Sequence, residues 1–66
     1  MLIPGKKIPK IINNRSKGNK IHHNCIIKRV EPVKFMGESI NVVFYHEQLD
    51  PHMTYSALEK DLEIFY

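Results

Sequence analysis

The sequence predicts an α+β fold: a small antiparallel sheet of two to four strands, curled in an SH3-like way, with one C-terminal helix. Three observations predict it. Two stretches alternate apolar and polar side chains with the period of a strand, a glycine turn joins them, and the last part of the chain repeats apolar residues at three- and four-residue steps. The chain has 66 residues, enough for one domain that buries only about 60% of the surface its unfolded form exposes.

The elements follow in order. Residues 1–20 form a basic, partly flexible segment in which only "KIPKII", Lys7 to Ile12, has strand character. Pro9 removes a backbone donor, so a strand there is expected at a sheet edge. "NNRSKGN", Asn13 to Asn19, reads as a turn or loop carrying Arg15 and Lys17.

Residues 21–47 predict a β-hairpin. Ile21, His23, Cys25 and Ile27 alternate against His22, Asn24, Ile26 and Lys28, and the phase slips between Ile27 and Val30, which with Pro32 predicts a bulge or bend near Arg29 to Pro32. In "MGES", Met36 to Ser39, Gly37 can supply the positive φ of a turn. In "INVVFYHE" the residues Ile40, Val42, Phe44 and His46 then face one way, and five of the eight are β-branched or aromatic.

Residues 50–66 predict a helical tail. Asp50-Pro51 is one start signal, and Ser56 with Glu59 makes a capping box. Tyr55, Leu58, Leu62 and Phe65 then trace an apolar stripe, with Leu58 and Leu62 as its core contacts.

Charge is distributed unevenly. Residues 1–34 hold nine basic side chains against Glu31, a balance of +8, and residues 35–66 hold Lys60 against six acidic ones, a balance of −5. Such a chain either neutralises itself on folding or offers opposite faces to different partners. The single cysteine fits a reducing compartment. No apolar run approaches the ~18 residues of a membrane span, and "MLIPGKKIPK" lacks the apolar core of a secretory signal. A cytoplasmic protein with no membrane partner is expected.

"IHHNC", Ile21 to Cys25, gathers two histidines and the only cysteine. A zinc site drawn from His22, His23, Cys25, His46 and His52 would have an irregular spacing and a single thiolate, and strand alternation sends His22 and His23 to opposite faces. The expectation is no metal and no cofactor, with Cys25 a small core hydrophobe, His22 in water, and His23 or His46 bordering the core. Catalysis by Cys25 needs a lowered pKa, a base and a cleft, and a chain this short has little volume for one, so no enzyme is expected.

Two binding classes remain. Lys6, Lys7, Lys10, Arg15, Lys17 and Lys20 on the basic segment suit phosphate or an acidic partner. Against nucleic acid, Phe44, Tyr45, Tyr55, Phe65 and Tyr66 lie in the acidic half, so the sequence shows no stacking platform interleaved with basic residues. For a protein partner, Met1, Leu2, Ile3, Ile11, Ile12, Met53, Ile64 and Tyr66 are more apolar residues than so small a core accommodates, and Tyr55, Phe65 and Tyr66 are the interface candidates. Self-association is a further outcome. In size and layout the chain resembles the short accessory reading frames of phages, small strand-and-helix proteins that bind and inhibit or redirect a host macromolecule. That resemblance implies a non-catalytic regulator whose first candidate partner is a host protein and whose alternative is nucleic acid.

Overall fold

The computed structural model describes residues 2–15, 17–34 and 37–66. The fold is all-β. Five strands, β1 (Lys7–Asn13), β2 (Lys20–Val33), β3 (Ser39–His46), β4 (Thr54–Leu58) and β5 (Leu62–Phe65), form one antiparallel sheet in the order β4-β3-β2-β1-β5. A 3-10 turn, Glu59–Asp61, separates the last two strands.

The α+β expectation is therefore corrected, because the tail contains no α-helix. Ser56, expected to cap a helix, lies in β4 opposite Val43, and no side chain caps the 3-10 turn. Tyr55, Leu58, Leu62 and Phe65 fit helical steps, yet the same stretch also reads as two short runs of period two broken by "EKD". Exposed and half-buried residues alternate in "TYSA" and again in "LEIF". Pairing decides between the readings: β4 lies along β3 and β5 lies along β1, joining edges that a helix would leave open. Thr54, Tyr55, Ile64 and Phe65 also favour the pleated state.

The segment read as a basic, partly flexible arm supplies β1, which has β2 on one side and β5 on the other. Pro9 is tolerated there because β5 runs only beside Lys10–Asn13 and Pro9 drops out of the β2 ladder as well. Pro32 obeys the same rule, since it pairs with Ile40 where β2 has lost β1 as a neighbour. Gly37 has φ +101°, while Met36 and the first and sixteenth residues of the apolar and loop readings above, Met1 and Ser16, lie outside the described residues.

Two irregularities bend the long β2. The register against β3 shifts between Ile27 and Arg29, making Lys28 the extra residue of a bulge. The other lies at Asn24, with φ +53°, opposite Pro9. Inward residues are three apart on both strands at this point, Ile8 and Ile11 on β1, His22 and Cys25 on β2. The sheet thus curls around one core of Leu2, Ile8, Ile11, Cys25, Ile27, Val42 and Phe44, with Val30, Tyr55, Leu62 and Ile64 packed against it. Leu2 and Ile11, expected as surplus apolar residues, are core. Among the described residues, no helix is long and apolar enough to cross a membrane.

Candidate functional site

The slip at Asn24 reverses the expected faces of the histidines. His22 is 2% exposed, whereas His23 and Ile21 are on the outside. His22 Nδ1 lies 2.9 Å from His46 Nε2, one ring nitrogen donating and the other accepting. Phe44, His46 and Tyr55 surround the His22 ring, with centroids 5.1, 5.1 and 4.9 Å away. Burial, first, and then the charges of His46 and Lys20 hold the His22 pKa below its usual value. This ring is a neutral, satisfied core group. Among the described residues no three His, Cys, Asp or Glu side chains gather to hold a metal. Burial raises the Cys25 thiol from 9.0 to about 11, which makes it a poor nucleophile.

The opposite character appears where the second half of β2 leaves β1 behind. The N–H of Ile27 still bonds the Lys6 carbonyl and its own carbonyl accepts the Gly5 N–H, but beyond Ile27 the strand β2 has only β3 as a paired neighbour, so the curled sheet is open between this part and β5. Leu2, Val30, Ile40, Leu62, Ile64 and Tyr66 line a groove of about 640 Å³ there, with Glu59 as its one charged side chain. Ile40 is 42% exposed and Tyr66 62% exposed. The groove is apolar because the inward row of β5 continues past the packed core into solvent. Val30 and Ile40 were not among the sequence candidates, and Leu62 was expected as helix core. The readable signal was the slip after Ile27, which turns Val30 inward and frees the end of the hairpin.

Of the basic candidates, two are engaged by the acidic half: Lys7 Nζ lies 2.7 Å from Glu47, and Arg15 lies 4.0 Å from Asp61. The hydrogen bond to Glu47, then its charge, raises the Lys7 pKa. Three others sit over aromatic rings: Lys6 over Tyr66 at 5.0 Å, Lys10 over Phe65 at 5.0 Å and Lys20 over Tyr55 at 5.4 Å. Lys17 is exposed in the loop. The fold therefore joins lysines of one half to aromatics of the other, a pairing that sequence distance concealed. Phe65, Lys10 and His23 stand side by side on three neighbouring strands. Tyr66 reaches the groove, whereas Tyr55 is half-buried against His22 and Phe44.

Compared with known proteins, the chain matches no family model, no curated sequence and no solved structure.

Proposed function

We propose that the chain is a small non-catalytic binding module that captures a protein partner in the groove between β5 and the second half of β2, and thereby inhibits or modulates that partner. The observation that carries this reading is the groove itself: Ile40 and Tyr66 stay exposed beside the half-buried Leu62 and Ile64. Apolar surface concentrated in a concavity is characteristic of docking sites, whereas scattered apolar residues are ordinary. The lone, buried Cys25 is compatible with a reducing compartment such as the cytoplasm. The strand-and-helix layout behind the resemblance to phage accessory proteins is gone, so the groove carries the proposal without it.

A photo-reactive benzoylphenylalanine at position 40 tests this against the same group at position 21, on the outer side of the sheet. In a lysate of the encoding organism, position 40 gives a discrete crosslinked protein and position 21 does not. Equal labelling from both positions counts against the groove, and a crosslinked dimer assigns it to a second copy of the chain.

A second reading, single-stranded nucleic acid, gains support from the lysine–aromatic pairs, because rings with a cation beside them are the elements of a stacking site. Replacing Lys6, Lys7, Lys10, Arg15, Lys17 and Lys20 with glutamine then abolishes binding and flattens its salt dependence. Sub-micromolar binding of a single strand at physiological salt, lost in that variant, would put this reading first.

A further inference from the structure

We propose that the partner of this groove is an extended, acidic segment that adds as a sixth strand to the free edge of β5. The inference rests on the reading of the groove as a protein-docking site and specifies what fills it. β5 ends the sheet, paired with β1 through Leu62 to Phe65, and among the described residues no strand lies on its other side. Alternate peptide groups of such a strand point away from its only neighbour, which leaves donors and acceptors that an extended chain satisfies in register.

The side chains of that edge set the partner's pattern. Leu62 and Ile64 share one side of β5 and, with Tyr66 just past its end, line the groove together with Val30 and Ile40. A strand laid along the edge sends every second side chain toward this wall, so the occupant needs apolar residues at alternate positions. A helix would present its apolar residues at steps of three and four and leave the edge groups unpaired.

Charge sets its polarity. Lys6 and Lys10 stand near the C-terminal end of β5, beside the groove and not in its lining: Lys6 lies over the ring of Tyr66, and Lys10 lies over Phe65 on the side of β5 away from Ile64. Neither has a carboxylate within ion-pair distance among the described residues. Beyond the opposite end of β5, in the preceding turn, the groove's one charged side chain is Glu59. A segment with Asp or Glu where it passes Lys6 and Lys10 therefore matches the site, and a basic residue at that point is repelled.

The experiment selects binders to the full chain from a displayed library of random peptides and measures amide exchange with the best one bound. The inference predicts enriched sequences with apolar residues at alternate positions and acidic residues at one end. It also predicts slowed exchange at the alternate amides within Leu62 to Phe65 that point away from β1. In the doubly substituted Lys6→Glu, Lys10→Glu chain the acidic peptide binds at least about tenfold more weakly, and a peptide with lysine in place of its acidic residues regains the loss. Helically spaced, basic or absent enrichment overturns the inference, as do unchanged β5 exchange and an oligothymidylate that binds the chain more tightly than the best peptide. The two levels separate cleanly. If position 40 crosslinks a protein but β5 amides gain no protection, docking stands and strand addition is wrong. If position 40 labels no more than position 21, the docking reading itself fails.

Discussion

Two regions of one core behave in opposite ways. Around His22 the sheet is closed, with Phe44, His46 and Tyr55 covering the ring and a histidine–histidine hydrogen bond meeting its polar need. Between β5 and Val30 the sheet is open, with Ile40 and Tyr66 in water. The closed region buries a polar group and leaves no buried side-chain polar atom without a partner among the described residues. The open region has Glu59 as its one charged side chain, leaves the β5 edge unpaired among the described residues and leaves apolar surface uncovered. Stability is thus expected to reside in the first region and binding in the second.

The largest effect that sharpens this contrast is a truncation on each side. Phe44→Ala empties the closed region and costs about 3–5 kcal/mol, a large part of what a domain of this size has available. Ile40→Ala in the groove costs under about 1 kcal/mol. Urea titrations of both variants check the difference, and equal losses would break the distinction.

Protonation addresses the closed region alone. Because the folded His22 pKa lies below its ordinary value of 6.5, the unfolded chain binds the proton more readily. Stability is complete above about pH 6.5 and is lost as pH falls from there through the folded value, by at most about 1.4 kcal/mol per pH unit from this ring. In His22→Phe this contribution to the slope disappears, which thermal melts from pH 7.5 downward (about one unit above the ordinary histidine value) read directly.

The backbone at Asn24 allows a smaller test. Its left-handed conformation turns both His22 and Cys25 inward, and its carbonyl accepts the Glu47 N–H at 2.9 Å. Asn24→Val forces a β-branched residue into that conformation and costs about 1–2 kcal/mol, whereas Asn24→Gly is close to neutral. The smallest effect is expected from Lys7→Gln, which removes the ion pair with Glu47 between two exposed side chains and leaves the melting temperature unchanged.

These positions also show what the sequence made legible. The period-two runs of β2 and β3, the glycine between them and the slip after Ile27 are local signals, and each corresponds to a feature of the fold. The tail resists a local reading because Tyr55, Leu58, Leu62 and Phe65 fit helical steps, while Tyr55 with Ala57 and Leu62 with Ile64 fit period two on either side of a three-residue turn, and only the neighbours β3 and β1 settle the choice. His22 was misplaced for a related reason: one left-handed residue at Asn24 shifts every preceding side chain of β2 to the other face, and alternation counting presumes that no such residue intervenes. The groove was partly visible as apolar residues in excess of the core, Ile64 and Tyr66 among them. Its other wall, Val30 and Ile40, depends on where β2 parts from β1, a tertiary property. The lysine–aromatic pairs join residues from opposite halves of the chain and have no local signature at all.

The central claim is that the open groove, not the outer side of the sheet, receives the partner. Calorimetry of the crosslinked partner, once purified, against Ile40→Asp and Ile21→Asp tests it most directly, since both place a carboxylate on a comparably exposed isoleucine. Ile40→Asp is expected to weaken binding by about a hundredfold, corresponding to about 2.7 kcal/mol, with the melting temperature nearly unchanged, and Ile21→Asp to bind as the parent chain does. Equal affinities for the two variants, or a loss confined to Ile21→Asp, would contradict the account.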